Sequence, residues 1–140
     1  MRYWDSSALV PLIVEQSATS RMRRIAIEDP AVVTWWASSV ECASALARLA
    51  RDETLTREAH ANGIGRLRAA MTMWTELSPS RDVREQALRM VRVHPLRAAD
   101  ALHLAAALVA SDFDASSLEF VTLDTRQAEA AEAEGFRVVG

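Results

Sequence analysis

The chain has 140 residues, 50% of them hydrophobic and 25% charged, with 16 basic against 19 acidic side chains and a net charge of −3. That size points to one domain with its own hydrophobic core. The balance excludes a strongly basic nucleic-acid-binding chain, although a nuclease built on carboxylates can be acidic overall and carry its basic groups at the rim.

Residues 1–5, MRYWD, read as a short buried strand ending at Asp5. SSALVPLIVEQ (6–16) then turns helical, with Ser6 or Ser7 as the N-cap. Its apolar run ALVPLIV (8–14) is too short to span a membrane. With Asp5 before it and no small-residue cleavage site after it, it is not expected to act as a signal peptide. Residues 17–29 form a second helix with Met22, Ile25 and Ala26 on one face, ended by Pro30. AVVTWW (31–36) is β-branched and aromatic, a second strand. Trp35 and Trp36 should face opposite sides, both buried if helices cover both faces.

A helix over 37–53 carries Val40, Ala43, Leu46, Ala47 and Ala50 at helical spacing. Another over 57–74 carries Ile64, Leu67, Met71 and Trp74, weakened by Gly63 and Gly65. TEL (75–77) is a short strand, and 78–94 an N-capped helix that Pro95 breaks. RAADALHLAAALVA (97–110) is a helix of core composition with Asp100 near its start and His103 one turn later. LEFVTLD (118–124) is a strand, 125–135 a helix ending at Gly135, and FRVV (136–139) a last strand. Leu9, Leu12, Ile13, Met22, Ile25, Leu46 and Leu49 are expected to be mostly core. The alternation predicts a doubly wound, mainly parallel α/β sheet with helices on both faces, in a single domain. Ligands of such sheets bind at the carboxyl ends of the strands.

Four acids fall at or near that edge. Asp5 and Asp124 end strands, Glu41 lies in the first turn after the second strand, and Asp100 in the first turn after Pro95. Each has a structural alternative. Asp5 could precede a turn and Asp124 could cap the helix from Thr125. SSVE (38–41) matches a capping box, in which Glu41 returns to the N-cap amide, and Asp100 could pair with Arg97. Together they are harder to explain, because two carboxylates ~4 Å apart repel by several kcal/mol at an intermediate dielectric. A divalent cation would neutralise such a group, and all-oxygen ligands suit Mg²⁺ or Mn²⁺. Such an ion activates water for in-line attack on a phosphodiester.

Other chemistries find little support. His103, set among leucines and alanines, reads as a core histidine satisfied by packing and one hydrogen bond, while His60 and His94 carry no pattern. No glycine loop for phosphates is present. The single cysteine, Cys42, excludes an intrachain disulfide and a paired-cysteine zinc site, and fits a reducing cytoplasm. All 16 positive residues are arginines, which reads as genomic base composition.

The segments DSSALV, SSVECASAL, LRAADALHLAAAL and FVTLDTRQAEAAEAEGF, in this order and spacing, resemble the PIN-domain family, in particular its VapC-type ribonuclease toxins. The resemblance covers essentially the whole chain. It implies a Mg²⁺- or Mn²⁺-dependent endoribonuclease whose acidic site comprises Asp5, Glu41, Asp100 and Asp124. Ser7 and Thr122 would be supporting hydroxyls for the first and last acids; Thr122 shares a strand face with Asp124. A homodimer and a cognate antitoxin, which inhibits by placing a segment near the acidic site, are implied as well. Gln127 stands where some relatives have a further acid, so a fifth ligand is not expected. Asp112 and Asp114 read as loop residues, and the tryptophans as structure rather than base-stacking groups. Arg97 and Arg126, each close in sequence to a proposed ligand, are candidate RNA-phosphate contacts. Two other readings are weaker. A catalytically silent binding module of the same fold would leave the four acids without a role. A phosphate-accepting receiver domain would need an acid pair beside Asp5 and a late lysine, and the chain has neither.

Overall fold

In the computed structural model, which describes residues 1–140, Arg2–Trp4 forms the central strand β1 of a five-stranded sheet. Successive side chains of a strand point to opposite faces. Tyr3 therefore enters the core on one side and Trp4 the core on the other. The chain continues through α1 (Ser6–Ile13), α2 (Thr19–Glu28), β2 (Val32–Trp35), α3 (Ser38–Arg51) and α4 (Arg57–Met71). Then come β3 (Thr75–Leu77), α5 (Arg81–Val93), α6 (Ala98–Ala110), a 3-10 turn at Ala115–Ser117, β4 (Glu119–Val121), α7 (Thr125–Ala133) and β5 (Arg137–Val139). Every strand pair is parallel, in the order β3-β2-β1-β4-β5.

Helices cover both faces. Tyr3, Val33, Trp35 and Phe120 pack with Met90 of α5, Leu104 of α6 and Ala131 of α7. Tyr3 stacks on Phe120 with ring centroids 5.3 Å apart. On the other face Trp4 and Val121 pack with Leu9, Met22, Leu46 and Leu67 of α1 to α4. Burial of each large side chain in these layers contributes about 1.5–3 kcal/mol. The chain winds outward from β1 to β2 and β3, then returns to β4 and β5. The winding reverses between β1 and β4, and the crevice of such a sheet opens there, at the carboxyl ends of the strands.

The expected elements are present, with local differences. The cap of α1 is Asp5, not Ser6 or Ser7: its Oδ1 accepts from the Ala8 amide at 3.1 Å. The capping box at residues 38–41 does not form. α3 starts after Ala37 with no side-chain cap, and the Ser38 hydroxyl pairs with Thr34 Oγ1 at 2.6 Å. The buried face of α3 runs through Cys42 and Leu46, leaving Val40 66% exposed. Trp36 is 54% exposed, because β2 stops at Trp35 and Trp36 lies in the turn past the end of the sheet, where no helix covers it. The last residues of the predicted strand 118–124 belong to the turn into α7.

Candidate active site

The cleft at this edge has a volume of about 920 Å³ and is walled by α1, α3 and the starts of α6 and α7. Asp5, Glu41, Asp100 and Asp124 all line it. Each comes from a different place in the fold: the end of β1, the first turn of α3, the first turn of α6, and the N-cap of α7.

Asp5 forms the floor and is only 2% exposed. Ser7 Oγ donates to its Oδ1 at 2.7 Å, and Thr122 Oγ1 donates to its Oδ2 at 2.9 Å. The same two hydroxyls accept from the next loop, Ser7 from the Leu123 amide at 2.9 Å and Thr122 from the Asp124 amide at 3.0 Å. Thr122 thus supports the Asp5 carboxylate and the Asp124 backbone, not the Asp124 carboxylate. The β1–α1 and β4–α7 turns are stitched together through these hydroxyls. Burial pushes the Asp5 carboxyl above the usual carboxylate range, against the opposing pull of His103, Ser7, Thr122 and the Ala8 amide.

Asp124 caps α7 by accepting from the Gln127 amide at 2.9 Å. Capping and lining the cleft are therefore compatible here, as they are for Asp5. Asp100 forms no ion pair with Arg97. Its carboxyl is also raised, first by burial and then by the like charge of Asp124, with Glu41 adding to the rise; His103 and the Arg97 amide act against it. Gln127, fully buried, donates through its side-chain amide to the Asp100 carbonyl at 3.2 Å and so fastens the start of α6 to α7.

Glu41 behaves differently. Burial alone would raise its carboxyl, but the His103 hydrogen bond and charge, with Ser6, hold it below the usual range. Its Oε2 accepts from Ser6 Oγ at 2.9 Å and its Oε1 meets His103 Nε2 at 3.1 Å. The other ring nitrogen of His103 meets the Tyr3 hydroxyl at 3.1 Å. His103 is a buried, hydrogen-bonded histidine as expected, but it has two polar partners, and one of them is an acid of the cleft. Neither partner lies on its own helix, so spacing along α6 gave no sign of them. Arg48, seven residues after Glu41 on the same face of α3, also lines the cleft, and no sequence pattern marks it; Arg97 and Arg126 line it as well. None of the three forms an ion pair; the paired arginines, Arg2, Arg23, Arg89 and Arg137, are not among the residues that line the cleft.

The remaining candidates fall outside. Asp114 caps the 3-10 turn and Asp112 sits in the preceding loop with φ 52°. His94 pairs with Glu134 at 2.6 Å, on the α5–α7 side of the sheet. Burial pushes the Cys42 thiol up to about 12, which makes it a core residue without nucleophilic character.

Residues 2–133 match the PIN domain family model. The chain belongs to the PIN-domain family. Ribonuclease VapC45 and Ribonuclease VapC49, both from Mycobacterium tuberculosis, are each 31% identical over 139 residues, spanning 97% of this chain and 92% of the relative. The fold is also that of a chain in a toxin-antitoxin complex from Klebsiella pneumoniae, with a TM-score of 0.67, 18% identity, and coverage of 100% of this chain and 97% of that one.

Whether this PIN-domain cleft suits a divalent cation is a question of donor chemistry. No three of its histidine, cysteine or carboxylate side chains converge closely enough to enclose an ion by themselves. A small hard cation such as Mg²⁺ does not need such a cage, because it keeps several waters and takes one or two carboxylates directly. Asp5, Asp100 and Asp124 are oxygen donors with no arginine or histidine ion pair. Burial first, and then the like charges of Asp124 and Glu41, raise the Asp100 carboxyl, and a bound cation would favour its ionised form against both. The donor set fits a hydrated Mg²⁺ or Mn²⁺.

Proposed function

We propose that this PIN-domain protein is a Mg²⁺- or Mn²⁺-dependent endoribonuclease and the toxin of a toxin–antitoxin pair. The observation that carries the reading is four carboxylates, delivered by four separate elements to one cleft, three of them without a positive partner. The relatives Ribonuclease VapC45 and VapC49, and a structural neighbour that sits in a toxin-antitoxin complex, support it.

On this reading Asp5, Asp100 and Asp124 hold the ion, with Glu41 beside them. When bound, such an ion supplies an activated water and offsets charge that builds on a phosphodiester during in-line attack. The chain's own residues do the rest. Ser7 and Thr122 fix both oxygens of Asp5. Gln127 holds the start of α6, and with it Asp100, against α7. Arg48, Arg97 and Arg126 on the rim take the phosphates flanking the cut, where a guanidinium gives two parallel hydrogen bonds. Their position above an acidic floor brings a polyanion to a site that would otherwise repel it.

The test is cleavage of structured RNA with Mg²⁺ or Mn²⁺ by the wild type, Asp5→Asn and Asp100→Asn, with folding checked in each. Activity is expected to need the metal and to vanish in both variants; undiminished, metal-independent cleavage would overturn the reading. The partner that fits is an antitoxin whose inhibitory segment brings an arginine to the acidic floor. The same reading makes the protein a cytoplasmic homodimer, which sedimentation at several concentrations tests. No helix is long and apolar enough to cross a membrane. The lack of a preassembled cation cage favours one alternative, a PIN fold kept as a silent binding module. Titration calorimetry with Mn²⁺ separates the two, since the module has no affinity for the ion.

A further inference from the structure

The hydrogen bonds around His103 have a direction that the geometry sets. The ring is 1% exposed and lies between the Tyr3 hydroxyl and Glu41 Oε1, 3.1 Å from each. A carboxylate only accepts hydrogen bonds, so the proton must sit on Nε2. Nδ1 meets the Tyr3 hydroxyl, on a side chain with no exposure and no other hydrogen-bond partner. The buried ring thus spans Tyr3 and Glu41 with a polar contact at each nitrogen, as buried polar groups require.

The line also crosses the fold. Tyr3 belongs to β1, His103 to α6, Glu41 to α3, and Ser6, on the other Glu41 oxygen, to α1. Tyr3 stands two residues before Asp5, so the line refers Glu41 to the strand that carries the floor of the cleft. A histidine that served only to fill space among Leu104 and Ala105–Ala107 would be better replaced by leucine, which needs no partners.

We propose that Tyr3 and His103 form a buried positioning relay that fixes the orientation of Glu41 for the metal-dependent site. His103 is a positioning residue, acting through Glu41 without touching RNA or ion. The proposal rests on the functional reading above for its consequence, and on the hydrogen-bond geometry alone for its existence.

The experiment uses the full chain in four forms besides the wild type: His103→Leu, His103→Gln, Glu41→Gln, and the His103→Leu/Glu41→Gln pair. Three measurements are made on them: ¹⁵N NMR of the histidine ring where His103 is present, Mn²⁺ affinity by calorimetry, and thermal unfolding. The wild-type ring is expected to show a protonated Nε2. His103→Leu is expected to weaken Mn²⁺ binding by about 10- to 100-fold, the usual cost of removing a group that orients a ligand. His103→Gln, whose amide N–H reaches toward the Nε2 position, recovers most of that loss. In the Glu41→Gln background the leucine change adds no further loss of affinity, because its route is already gone. A bare Nε2 in the spectrum overturns the relay. So does wild-type Mn²⁺ affinity in a folded His103→Leu, or a leucine effect of the same size with and without Glu41. If the wild type binds no Mn²⁺, the nuclease reading fails, and the ring spectrum still decides the relay. Should His103→Leu fail to fold, His103→Gln and the spectrum carry the test.

Discussion

Asp100 shows how one carboxylate answers to two demands. Its helix is built for packing, with Ala101, Leu104, Ala105 and Leu108 in the core. The acid at its start is placed against Asp124 and Glu41, which raise its carboxyl above the ordinary range after burial has done so. A group held against its own preference is expected to lower stability in the absence of a cation. Asp100→Asn should therefore leave metal-free stability unchanged or raise it by no more than about 1 kcal/mol, since water screens a partly exposed group. The same change should abolish Mn²⁺ binding. Denaturant unfolding in a chelator measures the first; a clear loss of stability would make the carboxylate a structural acceptor instead. At this scale the sequence was legible for the acids, because strand ends and helix starts fix where they lie, while the role of Ser7 came only from the family resemblance. It was silent on Tyr3, Ser6, Gln127 and Arg48, whose roles depend on partners from 35 or more residues away in some cases, as in the Ser6–Glu41 bond. Spacing along one helix cannot reveal those.

Two glycines of α4 separate the intrinsic preference of an element from its packing. A Cβ at Gly65 would meet nothing within 4 Å, whereas one at Gly63 would come within 3.0 Å of Val14 Cγ1 and 3.5 Å of Leu46 Cδ1. Gly65→Ala is expected to stabilise by about 0.5–1 kcal/mol through helix propensity. Gly63→Ala is expected to lose that gain and more, because Val14 is buried and its branched side chain cannot yield without disturbing α3. Thermal unfolding of the pair decides it, and equal stabilisation by both would contradict the close approach. Between α5 and α7, Glu134 accepts from Arg89 Nη1 at 3.0 Å and pairs with His94. The Arg89 hydrogen bond, with His94, holds its carboxyl below the usual range. A carboxyl lower in the folded state than in the unfolded state stabilises above the ordinary carboxylate value, and that contribution disappears as the pH falls through the lowered one. Glu134→Gln should cost on the order of 1 kcal/mol at neutral pH and flatten the acid limb of a stability-against-pH curve. An unchanged limb would show the pair to be inert. Periodicity exposed these helices well, since each has an apolar stripe. It misjudged α3, where Val40 fits the stripe by spacing but Cys42 and Leu46 face the sheet, and β2, where the strand ends one residue before Trp36.

For the molecule as a whole, alternation of strand and helix sufficed for a parallel sheet with two covered faces, because parallel strands need crossover helices and those helices need apolar faces. The strand order, and hence the crevice between β1 and β4, lay beyond it, since order is set by which faces meet. If the acids form one site, ligand binding must be linked to global stability. At a hundred times its dissociation constant, Mn²⁺ should stabilise the fold by about 2.7 kcal/mol. That gain should be visible as a rise in melting temperature and be absent in Asp5→Asn; an equal rise in that variant would place the ion elsewhere. The stitched turns of β1 and β4 have a consequence for the cell that makes the protein. Asp5 takes a hydrogen bond from Thr122, and the Thr122 amide in turn pairs with the Val139 carbonyl of β5. Until translation has passed β5, the emerging polypeptide lacks the strand that holds Thr122 in place, even once Asp124 has been made. A ribosome that has not yet made β5 therefore carries a polypeptide in which the stitched turns cannot close. If the chain is the nuclease proposed above, it can become active only once β5 has been made, when an inhibitor already in solution can meet it.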